Sequence, residues 1–130
     1  MALICADTTF LIDLSRELGR SSGPVHDFLR EHKEDEFAMS VTTLGEFAAG
    51  FADLRDRVFL GLKPRFRLLD LGEEDAWHYR EIFRHLKSRG QLIGANDLWI
   101  AASALRNESA IVTRNSQDFR RVPGLKVLSY

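Results

Sequence analysis

Cysteine is nearly missing from this sequence: Cys5 is the only one in 130 residues, so no intrachain disulfide can staple the fold. Cys5 lies in the apolar run Ala2-Leu3-Ile4-Cys5-Ala6 and reads as a small buried hydrophobe of a reducing compartment. No neighbour in sequence would lower its pKa, which excludes a thiol nucleophile. No stretch approaches the roughly 20 apolar residues a membrane span needs. The first residues also lack the basic start and small-residue cleavage pattern of a secretory signal. The expectation is a cytoplasmic protein without membrane association. Histidine is sparse too, and His26, His32, His78 and His85 occur on amphipathic segments without ligand spacing, which argues against zinc. A glycine-rich phosphate loop with lysine is absent, as is a Gly-x-Gly-x-x-Gly after the first apolar run, so nucleoside triphosphates and dinucleotides lose ground. Neither a Ser-His-Asp set nor a Cys–His pair is apparent, which disfavours a covalent route.

What is present is enough for one compact domain over residues 1–130, since 45% of the chain is apolar and a core of that size needs no staples. Short apolar runs alternate with longer amphipathic segments, the mark of βα units around a parallel sheet. Residues 2–6 are apolar throughout, as a central strand covered on both faces requires. Helices are expected over 9–18 and 24–32, a strand over 36–40, and helices over 43–52 and 53–63. A strand at 66–71 precedes the longest helix, 73–88, whose opening acids Glu73, Glu74 and Asp75 suit the positive end of a helix dipole. A helix at 97–106, a strand at 110–113 and an edge strand at 126–128 complete the pattern. The fold class read from this order is α/β: an α/β/α sandwich with a central, mostly parallel sheet of about five strands.

Open α/β sheets bind ligands beyond the carboxyl ends of their strands, and four acids occupy such positions. Asp7 directly follows the first strand, and Glu46 lies one turn into the helix after the second. Asp97 opens the helix before the fourth strand, and Asp118 falls in the loop after it. Each has a plain structural alternative. Asp7 can cap the helix it precedes, and Thr43-Leu44-Gly45-Glu46 has capping-box spacing. Asn96 can cap the next helix, and Asp118 can be a turn residue. Asp7 leans towards function, because an ionised carboxylate seldom ends an apolar central strand without a partner and no buried Lys or Arg is evident near it. A divalent cation would supply the charge, and hard oxygen ligands favour Mg²⁺, with Mn²⁺ as the alternative. Such an ion lowers the pKa of a bound water and neutralises charge growing on a phosphodiester.

Four segments resemble the PIN-domain family, specifically the VapC-type toxins of prokaryotic toxin–antitoxin pairs. They are Asp7-Thr8-Thr9-Phe10-Leu11-Ile12-Asp13, Ser40-Val41-Thr42-Thr43-Leu44-Gly45-Glu46-Phe47, Gly94-Ala95-Asn96-Asp97-Leu98-Trp99-Ile100-Ala101-Ala102, and Val112-Thr113-Arg114-Asn115-Ser116-Gln117-Asp118-Phe119 with Val122-Pro123-Gly124-Leu125. The resemblance implies a metal-dependent endoribonuclease whose acidic site is Asp7, Glu46, Asp97 and Asp118, with Asp7 and Asp97 as direct ligands. Some relatives carry the last acid three residues earlier, where this chain has Asn115. Thr9, Asn96, Thr113 and Asn115 look like polar groups that orient the carboxylates, with Arg114 steadying a phosphate. RNA as substrate, a cognate antitoxin entering the cleft and a homodimer are implied in the same way. Trp99 is expected to pack in the core or a dimer contact, and Asp13 to lie on an exposed helix face.

Net charge is −1, which does not by itself mark a nucleic-acid binder. The segment from Leu54 to Arg67 does gather Arg55, Arg57, Lys63, Arg65 and Arg67 against Asp56, either a solvated face or an RNA-facing rim. Three rivals accompany the nuclease reading. A phosphoacceptor signalling domain normally has paired acids at the first strand and a late Lys. A metal-dependent phosphatase wants Asp-x-Asp where this chain has Asp7-Thr8-Thr9. A PIN-like binding module without catalysis is the remaining one.

Overall fold

The computed structural model describes residues 1–130. Five strands, β1 (Leu3–Ala6), β2 (Glu36–Ser40), β3 (Arg67–Leu69), β4 (Ala110–Val112) and β5 (Val127–Leu128), form one sheet in the order β3-β2-β1-β4-β5. Every neighbouring pair is parallel. The helices are α1 (Thr8–Glu17), α2 (Pro24–Glu31), α3 (Val41–Ala48), α4 (Arg57–Leu62), α5 (Glu73–Ser88), α6 (Ala95–Arg106) and α7 (Ser116–Phe119). The fold is an α/β/α sandwich, parallel throughout.

Side-chain alternation along the strands explains the two covered faces. Ile4, Ala6, Met39 and Val112 point into a core shared with Phe10, Leu14, Phe28, Phe47, Phe59 and Leu62 of α1 to α4. Ile111 joins Ile82, Leu86, Leu98, Ala101 and Phe119 of α5 to α7 on the other side. Cys5 is fully buried and packs with Ala38 and Leu69, and burial pushes its thiol up to about 12, as suits an inert residue. Trp99 packs its ring 4.4 Å from that of Tyr79, joining α6 to α5. Asp75 is fully buried and accepts the Gly72 N–H at 2.7 Å, with Arg106 Nη1 3.4 Å away. It is therefore a tie between α5 and α6 as well as a helix-end charge.

Several expected boundaries move. The helix expected to reach residue 52 stops at Ala48, and the next begins only at Arg57, where Asp56 caps it by accepting the Val58 N–H at 2.8 Å. The strand expected over 66–71 is only Arg67–Leu69, and as an edge strand it leaves Arg67 and Leu68 exposed. Asp118 does not lie in a loop: it sits on α7, a four-residue helix too short to show periodicity.

The α1–α2 corner is closed by a residue that sequence spacing did not mark. Glu17, only 4% exposed, accepts the backbone N–H groups of Val25 at 3.0 Å and His26 at 3.1 Å, and His26 Nδ1 lies 2.7 Å from it. Burial alone would raise the Glu17 carboxyl, but these hydrogen bonds outweigh it and hold the group below its ordinary value. Gly23 precedes α2 with φ +155°, and a β-carbon there would collide with the Glu17 carboxylate. Gly23→Ala is therefore expected to cost about 1–3 kcal/mol in urea unfolding. Gly19→Ala, where nothing stands within 4 Å of the added carbon, should stay within about 0.5 kcal/mol of wild type.

Candidate active site

The chain runs β1, β2, β3 outward in one direction and then returns to place β4 on the other side of β1. That reversal opens a crevice at the carboxyl ends of β1 and β4. Register puts Ala6 beside Val112, and the Asp7 N–H donates to the Val112 carbonyl at 3.2 Å. Asp7 and Thr113 therefore emerge side by side.

Asp7 is 3% exposed, and both its oxygens are engaged. Oδ1 accepts the Thr9 hydroxyl at 2.6 Å and the Phe10 N–H at 3.1 Å, while Oδ2 accepts the Thr113 hydroxyl at 2.6 Å. Asp7 thus does cap α1, and the capping and site readings coexist. Burial drives its carboxyl above the ordinary value, and the bonds from Thr113, Thr9 and Phe10 offset this only in part.

Glu46 is brought to the same edge by α3, which is capped by Ser40 accepting the Thr43 N–H at 3.1 Å. The capping-box alternative for Glu46 is thereby overturned. Its Oε1 instead accepts the Thr8 hydroxyl at 2.6 Å, and its Oε2 the Asn96 side-chain amide at 3.2 Å. Asn96 is not the cap of α6: Gly94 holds that position, and the helix starts at Ala95. The Asn96 amide is left free to reach across to Glu46, as a carboxylate-orienting group should.

Asp97 lies in the first turn of α6, where the helix dipole favours an anion. Its carboxyl is nonetheless raised to about 6, first by burial and then by the charges of Asp7, Glu46 and Asp118. No hydrogen bond offsets these effects. Asp118 accepts the Asn115 amide at 3.1 Å, and Arg121 stands 3.7 Å from it. Asn115 is held in turn by donating its N–H to Thr113 Oγ1 at 2.8 Å. All four acids thus share one hollow, with Thr9, Asn96, Thr113 and Asn115 bonded to them or to each other.

As they stand, no three carboxylate or imidazole side chains are placed to enclose one ion. The carboxylates are near enough to raise Asp97 but are turned towards their own hydroxyl and amide partners. The donor chemistry still fits a hard divalent cation: all ligands are oxygens, and an excess of negative charge goes uncompensated at Asp97. Asp7, with its two oxygens fixed, and Asp97, with none committed, would hold such an ion, with Glu46 and Asp118 adding negative charge beside them.

The sequence of the PIN domain family matches residues 4–125. The chain belongs to the PIN-domain family. Among curated relatives, Ribonuclease VapC1 of Methanocaldococcus jannaschii is 31% identical to this PIN domain over 107 residues, 78% of this chain and 79% of the relative. Ribonuclease VapC of Rickettsia bellii is 41% identical over 68 residues, about half of each chain (52% and 51%). A chain of VapBC-1 from nontypeable Haemophilus influenzae superposes with a TM-score of 0.74 at 27% identity, covering 98% of this chain and 97% of that one. A chain of Rickettsia felis VapBC2, bound to promoter DNA, reaches a TM-score of 0.85 at 22% identity over 98% of both chains, a likeness that speaks for the fold alone.

Two expectations around the site need correction or refinement. Asp13 is not on an exposed face: its side chain is 18% exposed and accepts bonds from Arg114 and Tyr130. Of the basic residues between 54 and 67, Arg55 is paired with Asp53 and Arg67 with Glu36, while Arg57, Lys63 and Arg65 are exposed. Thr8, which bonds Glu46, was not singled out by sequence, because only tertiary proximity gives it that role.

Because Asp97 titrates above its ordinary 3.8, this carboxyl binds more protons in the folded metal-free chain than in the unfolded chain between about pH 4 and 6. Its own contribution to stability therefore falls as pH rises through that window. Asp97→Asn removes the effect and is expected to stabilise the metal-free protein at pH 7.5 by about 2 kcal/mol, the linkage of the shift reduced by solvent screening of a half-buried group. The same variant should differ little from wild type at pH 4, as urea titrations at the two pH values would show.

Proposed function

We propose that this PIN domain, spanning 1–130, is a metal-dependent endoribonuclease that hydrolyses phosphodiester bonds in single-stranded or looped RNA, as the toxin of a VapBC-type pair. The observation that carries this reading is the convergence of Asp7, Glu46, Asp97 and Asp118 from four separate segments, close enough that the other three charges add to burial in raising Asp97 to about 6. The relatives named ribonuclease support the reaction class. Relatives found in VapBC assemblies support an antitoxin partner.

In this reading Asp7 and Asp97 hold Mg²⁺ or Mn²⁺. The ion would lower the pKa of a bound water and neutralise charge growing on the phosphate. The chain's own part is orientation. Thr9, Thr113 and the Phe10 N–H fix Asp7 in place and offset part of the cost of its burial. Glu46, steadied by Thr8 and Asn96, faces the hollow as the group that positions the attacking water. Asp118, joined to Asn115, contributes the fourth negative charge. Asp97 must lose its proton before it can act as a ligand, so the site strengthens with rising pH.

A cavity of about 260 Å³ lies beside Glu46, lined by Ile12, Ser15, Phe47, Gly50 and Phe51. Its mixed apolar and acidic wall suits a partner segment that carries both an apolar and a basic side chain, as an antitoxin tail would. The exposed Trp77 on α5 supports a homodimer contact. No helix is long and apolar enough to cross a membrane.

Purified protein should cleave a short single-stranded RNA with Mg²⁺ or Mn²⁺ and stop in EDTA. Asp7→Asn and Asp97→Asn should each lose at least about 100-fold in rate, a barrier increase of about 3 kcal/mol. Millimolar Mn²⁺ should raise the melting temperature by mass action, and the shift should shrink as pH falls from 7.5 to 5 and Asp97 takes up its proton. Full activity in EDTA, or in either variant, would refute the assignment.

A further inference from the structure

Arg114 follows Thr113, the hydroxyl donor to Asp7, and its own N–H donates to Thr9 Oγ1 at 2.9 Å. Thr9 donates to Asp7, so the Arg114 backbone stands two hydrogen bonds, through one hydroxyl, from the Asp7 carboxylate. Its side chain is tethered as firmly. Nη1 donates to both oxygens of Asp13, at 2.9 and 3.1 Å. Asp13 Oδ2 also accepts the Tyr130 hydroxyl at 2.6 Å, and the Tyr130 ring is wedged edge-on against Phe10 at 5.1 Å between centroids. Arg16 Nη1 lies 3.7 Å from Asp13 Oδ1.

This arrangement is unlike an ordinary surface ion pair, which contributes little because both long side chains must be frozen for a screened attraction. Here the acceptor is already immobilised by the phenol of a half-buried ring. Exposure runs from 18% at Asp13 to 55% at Arg114 and 67% at Arg16, so the carboxylate is inside and the cations face out. Two guanidinium groups on one carboxylate leave a positive surplus, and Arg114 spends only Nη1 on Asp13. Its remaining N–H groups are left for an anion. The hollow nearby is acidic, so a polyanion approaching it needs fixed positive charge on the rim. Asp13 follows Asp7 by six residues, about 9 Å along the helix axis, which places the cations beside the hollow and not within it.

We propose that Arg114, fixed by Asp13 and Tyr130 and accompanied by Arg16, grips an RNA backbone phosphate flanking the one that is cut. Asp13 and Tyr130 are then positioning residues for substrate. The inference rests on the RNA-cleaving reading above and adds to it the rim that holds the strand.

The test uses the full chain, a fluorescein-labelled single-stranded RNA, steady-state cleavage with Mn²⁺, and binding titrated over salt concentration. Arg114→Gln is expected to raise KM and the dissociation constant about tenfold, the scale of one hydrogen bond to a charged group, with the loss in KM and not kcat. The slope of log affinity against log salt should drop by about 0.7, one single-strand phosphate contact, and Arg114→Lys should restore the slope. Asp13→Asn makes the rim more positive, so charge alone predicts tighter binding; positioning predicts weaker binding, about threefold or more, with Tyr130→Phe in the same direction. Thermal melts with and without Mn²⁺ identify any variant that loses the fold or the metal site. An unchanged slope and KM in Arg114→Gln, or tighter binding by Asp13→Asn, overturns this inference while leaving the nuclease reading intact. No metal-dependent cleavage by the wild-type chain removes both.

Discussion

The structure turns on one confined carboxylate. Asp7 ends the central strand with almost no access to water, and the fold spends two hydroxyl groups and a backbone N–H on keeping it there. A buried carboxylate with that many donors is held by its surroundings, and the donors come from two distant parts of the chain: Thr9 and Phe10 from α1, Thr113 from beyond β4. The position of β4 next to β1 is what brings these donors together. Had β4 been added beyond β3, Asp7 would keep its helix cap and lose the Thr113 bond.

Around that anchor the remaining acids are graded in how tightly they are bound. Glu46 and Asp118 carry amide or hydroxyl partners that can be exchanged. Asp97 carries none and absorbs the repulsion of the other three. A site built this way is poised: one ligand is preset, one is empty-handed, and two are parked on neighbouring polar groups. The same polar groups connect the hollow to its rim, since Thr9 serves Asp7 on one side and the Arg114 backbone on the other. Packing carries the rest of the load. The apolar faces of α1 to α4 and of α5 to α7 cover opposite sides of a sheet that is too short and too parallel to stand uncovered.

Residues whose environment is set by their neighbours in sequence were legible in advance. The run Leu3–Ala6 could only be a strand covered twice, and the α5 periodicity placed Glu73–Ser88 to the residue. Asp7 stood out because it directly ends an apolar strand, whereas Glu46, Asp97 and Asp118 were marked as its companions by the resemblance of their segments to PIN domains. Elements too short for periodicity were not found: α7, with four residues, and the broken stretch between Ala48 and Arg57. Capping assignments failed where a residue earlier in the chain takes the cap position. Ser40 displaced Thr43 and Gly94 displaced Asn96, because each of those side chains had a better-fixed partner elsewhere.

The sequence by itself determined the α/β class, the strand that lies at the centre and the placing of Asp7 directly after it. Those follow from local hydrophobic period and from the polarity change at each strand end, which need no knowledge of distant contacts. Only the tertiary structure decided which polar groups serve which acid, that Asp97 bears the electrostatic burden, and that Asp13 is a tether for Arg114 and not a surface charge. Hydrogen bonds between residues such as Thr113 and Asp7, or Tyr130 and Asp13, are 106 and 117 positions apart in the chain. Such partners become neighbours only when the sheet order is fixed, and a linear pattern carries no record of it.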